Sequence, residues 1–229
     1  MYTETSTDIK HFYQHPTTID QINEYTKRVR TGQVRCNLPA CPRCEETSNS
    51  FKRHEARQRH FYAIVEQMIR KVSGLLIRWK CPDCGKTFTD YPGFALPFKR
   101  YILSVVMEYS SQYTENDQTS YRKVIQSSSA GYPDSECQLE HSTIYRWMST
   151  LGSFTQIIRK AQDLILQARP DSSICRDLGG LSIPSKKYRK EERSEVFLRC
   201  RQLFNLEGLY RLIFRVSIFP NLATSCSFG

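Results

Sequence analysis

The chain has 229 residues, of which 39% are hydrophobic, and its formal net charge at pH 7 is +10. Its longest apolar runs, at residues 75–77 and 102–107, are far shorter than the roughly 20 residues of a membrane-spanning helix, and the first fifteen residues lack the apolar stretch of a signal peptide. We therefore expect a cytoplasmic protein with no membrane partner, and in a reducing compartment paired cysteines favour metal over disulfides.

Residues 1–33 are predicted to form an N-terminal arm and a short helix. Thr17 followed by Asp20 resembles a capping box, and apolar side chains such as Ile22 and Val29 recur at helical spacing.

Residues 34–93 are predicted to form a small β-rich zinc ribbon. They contain two C-P-x-C turns separated by 36 residues. Two thiolates three positions apart can occupy two corners of a tetrahedron, so two such turns supply all four ligands of one structural Zn²⁺. The predicted ligands are Cys41, Cys44, Cys81 and Cys84.

Other cysteine and histidine roles remain open at this stage. Cys36 is an alternative to Cys41, and His54 and His60 could also ligate, although on a basic strand they are expected to face solvent or phosphate. A redox-active pair is disfavoured, because there are two pairs and no βαβ pattern. The remaining cysteines are expected to be ordinary small apolar residues. They are Cys137, Cys175, Cys200 and Cys226.

The cysteine turns need antiparallel strands between them. Residues 75–79 are predicted to be a strand that leads into the second turn, with Ser73 and Gly74 as the chain reversal before it. Residues 61–72 fit either a helix or a strand, and we favour a strand.

Positive charge is concentrated in residues 51–101, which contain eleven Lys or Arg and four Asp or Glu. Such a cluster attracts polyphosphate backbones and releases their counterions, although a basic surface without a partner fits equally well. The predicted phosphate contacts are Arg53, Arg57, Arg59, Arg70 and Lys71.

Residues 94–169 are predicted to form an all-α helix-turn-helix domain. Proline is tolerated in a first turn, so a helix is expected to open at Pro97, and further helices are predicted at residues 120–126, 141–151 and 154–168. The serine- and glycine-containing segment 127–134 is predicted to be a loop.

The helix at residues 141–151 has the pattern of a recognition helix. Ile144, Trp147 and Leu151 form an apolar stripe, and polar side chains occupy the opposite side near the N-terminus. The predicted DNA contacts are His141, Ser142, Tyr145 and Arg146, with Arg122 and Lys123 on the preceding helix. An ordinary amphipathic helix is the alternative. The gap between the two helices is longer than the usual 3–4 residues, and Glu140 is a poor N-cap.

Residues 170–229 are predicted to be a linker and a helical tail, with an amphipathic helix at 194–214. The overall expectation is an α+β chain, in which a zinc ribbon is followed by a helix-turn-helix domain and this tail.

Three segments resemble known families. Residues 78–88, which read R-W-K-C-P-D-C-G-K-T-F, resemble the second knuckle of transposase-type zinc ribbons from bacterial mobile elements. Residues 91–101 resemble a bacterial zinc-ribbon family of unassigned function, and residues 141–151 are similar to recognition helices of transposases and resolvases. The resemblance implies binding to the terminal repeats of an element, with cutting performed by a separate RNase H-like domain.

We expect a DNA-binding protein that is not an enzyme, because residues after 152 show no strand pattern that would gather carboxylates for two-metal chemistry. It would act as a transposition accessory factor or transcriptional regulator, associated with the nucleoid and possessing a recombinase or transposase partner. The alternatives are a transposase fragment that works with a separate catalytic domain, and a zinc-ribbon adaptor for protein interactions.

Overall fold

The computed structural model describes residues 18–66, 68–115, 120–128, 139–173, 175 and 190–219. Over these residues the architecture is α+β, as predicted, with six α-helices, a short 3-10 helix at Ser48–Ser50 and a three-stranded antiparallel sheet in the order β1-β2-β3. Thr17, Cys137, Cys226 and residues 129–134 of the predicted loop lie outside the described residues. Residues 127 and 128, predicted to belong to that loop, instead continue the helix Tyr121–Ser128. None of the described helices is long and apolar enough to cross a membrane.

In chain order the elements are α1 (Thr18–Arg30), β1 (Lys52–Val65), β2 (Met68–Lys80), β3 (Thr87–Asp90), α2 (Leu103–Glu115), α3 (Tyr121–Ser128), α4 (His141–Gly152), α5 (Thr155–Ala168) and α6 (Lys190–Phe214).

Strands β1 and β2 form one long hairpin, which confirms the strand prediction for most of residues 61–72. The predicted reversal at Ser73 and Gly74 is wrong, because both residues lie inside β2 and the chain turns at Glu66 instead. A Cβ atom on Gly74 would lie 2.8 Å from Ile22 and 2.9 Å from Phe61. Glycine is needed here for close packing rather than for a turn.

Helix α1 covers the part of β2 that β3 leaves unpaired. Strand β3 pairs only with residues 77–80. Beyond that point the amide of Leu75 donates to the Thr26 hydroxyl of α1 at 3.2 Å. A sheet edge with unpaired amides invites pairing with other chains, and the helix satisfies the edge amide of Leu75.

The buried residues form two clusters at opposite ends of the hairpin. The cluster around the cysteine turns contains Val29, Phe51, Ile77 and Trp79. The Trp79 indole donates to the buried Asp90 carboxylate at 3.2 Å, and burial raises the pKa of Asp90. The larger cluster joins the other half of the hairpin to helices α1–α6.

The helix predicted to open at Pro97 begins six residues later, at Leu103. Pro97 lies instead in a tight turn in which the amide of Lys99 donates to the Leu96 carbonyl at 3.2 Å. The following segment then lies along the outer edge of β1. The Tyr62 amide donates to the Arg100 carbonyl at 2.9 Å, so the chain is extended where a helix was expected.

The remaining helix predictions are confirmed within a few residues. The helix predicted at 194–214 begins at Lys190 and is a core element rather than a tail, because Leu203 and Leu206 are fully buried. Arg199 of α6 donates through Nε to the Gly152 carbonyl at the end of α4, at 2.9 Å. The division of the chain into four domains stays a prediction.

Candidate metal centre and basic surface

The four predicted cysteines converge. Their sulfur atoms all lie within 4.8 Å of one another, which confirms a cluster able to hold a metal ion. The shortest approaches join the two turns: Cys41 Sγ lies 3.5 Å from Cys84 Sγ, and Cys44 Sγ lies 3.5 Å from Cys81 Sγ. Four thiolates at 2.3 Å from a tetrahedral ion would be about 3.8 Å apart, so small adjustments suffice.

The two turns have the same backbone. In the first, the amide of Glu45 donates to the Cys41 carbonyl at 2.8 Å, and the Cys41 amide donates to the Glu46 carbonyl at 2.8 Å. In the second, the corresponding bonds run from Gly85 to Cys81 at 3.1 Å and from Cys81 to Lys86 at 2.9 Å. Local hydrogen bonds therefore preset the position of each thiol pair.

The pKa values of Cys41 and Cys44 are shifted in opposite directions. Burial raises the pKa of Cys41, but hydrogen bonds from the Arg43 and Cys44 amides and from neighbouring thiols lower it to about 7. At Cys44 the Glu46 amide favours the thiolate, yet burial and the surrounding sulfurs raise the pKa to about 12. Ionisation of one thiol therefore disfavours ionisation of its neighbour, and a bound divalent cation would remove this repulsion.

The alternative ligands are not part of this cluster. Cys36 packs beside it but is not among the clustered thiols. The exposed His60 lies farther along β1, where its Nδ1 is 3.1 Å from the Ser73 hydroxyl. Cys175 and Cys200 are buried in the helical core, as expected of small apolar residues.

The predicted phosphate contacts of the hairpin are spread out. Arg53 lies near the cysteine turns, whereas Arg70 is opposite Ala63 towards the other end. At about 3.3 Å per residue, these positions are roughly 30 Å apart. Lys71 pairs with Tyr62 and therefore points to the other face of the hairpin from Arg70. The set does not form a single small patch.

Two of these arginines already have partners. Arg57 forms an ion pair with Glu55, which also lies 3.4 Å from Arg78. Arg59 donates through Nη2 to the Lys99 carbonyl at 3.1 Å, and its guanidinium lies 5.9 Å from the centre of the Tyr91 ring.

Lys99 is related to both the hairpin and α4, although no sequence pattern marks it as a functional residue. Its carbonyl binds Arg59, while burial and the nearby charge of Arg146 lower the pKa of its ammonium group. Lys99 is therefore bound at its backbone by one residue predicted to contact DNA and influenced at its ammonium group by the charge of another. The sequence places Lys99 directly before Arg100, but in a segment predicted to be a helix.

Helix α4 has the predicted two faces. Ile144, Trp147 and Leu151 are buried, whereas His141 and Arg146 are exposed. The other predicted contacts are less accessible. Ser142 donates to the Glu140 carboxylate at 3.0 Å, and Tyr145 is half-buried with its ring 6.2 Å from that of Tyr121.

Helix α3 packs against α4, and the two predicted contacts on α3 lie in its exposed first turn. Ser120 caps this helix, because the Lys123 amide donates to its hydroxyl at 3.2 Å. Arg122 and Lys123 are both exposed.

A protein family described as a domain of unknown function, DUF6431, is similar to residues 41–147 of this chain. The similar range begins at the first clustered cysteine and ends inside α4. It therefore includes the whole cysteine cluster, the hairpin and the exposed start of α4. No curated protein and no solved structure matches the chain.

Proposed function

We propose that this protein binds double-stranded DNA through a surface that combines the hairpin with helix α4. The observation that carries the proposal is the position of Lys99: its carbonyl accepts from Arg59 of β1, and the charge of Arg146 on α4 acts on its ammonium group. Like charges brought together in a folded protein repel one another, and a phosphate backbone would relieve that repulsion.

We further propose that the ion held by the cysteine cluster is Zn²⁺, in a zinc-ribbon arrangement. Four thiolates are a donor set typical of structural zinc, and complete tetrahedral coordination leaves no open position for catalysis. The metal would hold the two turns together and so fix the end of the hairpin that carries Arg53. Its contribution to DNA binding is therefore structural.

In this proposal α4 acts as the recognition helix of a helix-turn-helix and α3 as its partner. The exposed side chains of His141 and Arg146 are the best placed to reach base edges, while Arg122 and Lys123 hold phosphates. Residues 129–140 separate the two helices, so the connection is much longer than the usual turn.

The biological setting proposed here follows from the resemblance to transposase-type zinc ribbons. The protein would serve a mobile element as a transposition accessory factor or a transcriptional regulator, with a recombinase or transposase as its partner. The domain itself would perform binding and leave strand cutting to that partner.

The proposal is tested by selecting bound fragments from a random duplex pool with the metal-loaded protein. We expect an enriched sequence, and Arg146→Ala is expected to weaken binding to that sequence by roughly 5- to 100-fold while changing binding to random duplex less. Arg159→Ala on α5, another exposed arginine, serves as the matched control. The proposal fails if no duplex is retained at about 150 mM salt, and equal losses on both duplexes would reduce Arg146 to a phosphate contact.

A further inference from the structure

The turn at residues 96–99 presents a single aromatic side chain to solvent. Phe98 is 89% exposed, more than any other large hydrophobic side chain among the described residues. It follows Pro97, and the turn is closed by the Lys99 amide on the Leu96 carbonyl at 3.2 Å. We call residues 96–99 the Phe98 turn.

The backbone of Phe98 is unfavourable for its residue type. Its φ is +61°, a left-handed conformation in which bulky side chains are rare. With proline one position earlier, Phe98 occupies the turn position that usually holds glycine or asparagine. Phenylalanine at this position strains the backbone and exposes an apolar ring to solvent. Both effects disfavour the folded state, so the ring is not explained by a role in folding.

The neighbouring structure holds the Phe98 turn in place. Arg59 donates to the Lys99 carbonyl. Just after the turn, the backbone of Tyr62 on β1 donates to the Arg100 carbonyl at 2.9 Å and accepts from the Ile102 amide at 3.1 Å. Because this backbone is already fixed, binding a ligand would restrict only the rotation of the Phe98 side chain.

Positive charge surrounds the turn. Lys99 and Arg100 follow Phe98 directly, and Arg146 lies near the Lys99 ammonium group. In the described part of the chain, no carboxylate forms an ion pair with any of these three residues. An exposed ring followed directly in the chain by two cations matches a ligand that combines a flat apolar face with phosphates.

We propose that Phe98 stacks on an unpaired nucleobase while Lys99, Arg100 and Arg146 bind the phosphates on either side of it. This inference rests on the proposed DNA binding and identifies the form of DNA that this site prefers: a duplex containing an unpaired or displaced base. Stacking needs a single ring and no base-specific hydrogen bonds. A wedge between paired bases would also have to disrupt base stacking, and an apolar protein partner would require a wider apolar patch around the ring.

The test compares three probes. Anisotropy measures binding to a fluorescein-labelled paired 20-mer duplex and to the same duplex with one central unpaired thymidine, and co-sedimentation measures binding to anionic vesicles of phosphatidylglycerol and phosphatidylcholine. Metal-loaded wild-type protein is compared with Phe98→Ala, Phe98→Trp and Phe98→Gly. We expect wild type to prefer the bulged duplex, and Phe98→Ala to weaken that binding at least about fivefold while changing paired-duplex binding less than about twofold. Phe98→Trp should retain the preference.

Phe98→Gly separates binding from folding. Because glycine accepts positive φ without strain, this variant is expected to melt at the same temperature as wild type or higher, yet to lose the preference for the bulged probe. A lower melting temperature for Phe98→Gly would show a folding role and overturn the inference. If Phe98→Ala weakened binding to both duplexes equally, Phe98 would act as a wedge between paired bases. If Phe98→Ala lost only vesicle binding, the ligand would be a lipid surface. Either result would overturn the stacking inference.

The outcomes also distinguish this inference from the broader proposal. If wild type binds paired duplex but Phe98→Ala changes nothing, only the stacking inference fails. If wild type binds neither duplex, both fail.

Discussion

Glu45 and Gly85 occupy the same position in the two cysteine turns, and both have positive φ, 61° and 69°. Each donates its amide to the carbonyl of the first cysteine of its turn. The shared conformation belongs to the turn itself, and only the second turn has the residue type suited to it.

This relationship predicts opposite effects of substitution at the two positions. Glu45→Gly is expected to stabilise the metal-loaded protein by about 0.5–1 kcal/mol, because relief of strain exceeds the added freedom of the unfolded chain. Gly85→Ala is expected to destabilise it by about 1–2 kcal/mol. Urea unfolding of each variant measures both effects. A loss of stability in Glu45→Gly would show that the Glu45 side chain contributes more than its backbone costs.

The cysteine cluster predicts one metal ion per chain. Elemental analysis of reduced protein should return one equivalent of zinc, and Cys81→Ser should lose it. Cys36→Ser is the matched control, since Cys36 packs beside the cluster without joining it, and it should retain a full equivalent.

Metal removal is expected to affect the two ends of the hairpin differently. A structural zinc site contributes on the order of 10 kcal/mol to the folding of its module, so a chelator should disorder the small cluster around Phe51 and Trp79. The larger cluster contains no metal ligand, and most of the helical circular dichroism should therefore remain. A protein that melts identically with and without chelator would contradict a structural metal.

The ion pairs on the hairpin predict unequal contributions to phosphate binding. Arg57 is neutralised in part by Glu55, whereas no ion pair of Arg53 is seen among the described residues. Arg53→Ala is expected to reduce the slope of log affinity against log salt by about 1, and Arg57→Ala by less. Titrations with a paired duplex at several salt concentrations measure the slopes. A larger change in slope for Arg57→Ala than for Arg53→Ala would mean that the ion pair between Glu55 and Arg57 breaks when DNA binds.

Alanine substitution is expected to change the stability of the protein in opposite directions at two glycines. Gly74→Ala is expected to cost about 1–3 kcal/mol, since its Cβ would overlap Ile22 and Phe61. Gly208 lies in α6 with nothing within 4 Å of the corresponding Cβ, so Gly208→Ala should stabilise the protein by about 0.5–1 kcal/mol. Thermal unfolding of both variants checks the contrast. A neutral Gly74→Ala would show that α1 can move away from β2.

The sequence by itself determined the four clustered cysteines and most helices. The pairing of thiols within each turn depends on the C-P-x-C spacing, and the faces of α4 depend on a repeat of 3.6 residues; both are local properties. The zinc identity and the recognition role of α4 stay predictions.

Only the tertiary structure decided where the hairpin turns and where the helical region begins. The sequence pattern predicts a turn at Gly74, but the glycine is needed because Ile22 packs against it. The pattern also predicts a helix start at Pro97, but the residues that follow are hydrogen-bonded along β1. The hydrogen bond from Arg59 to the Lys99 carbonyl likewise joins residues distant in sequence. Such contacts arise from packing between elements, which a periodic pattern within one element does not encode.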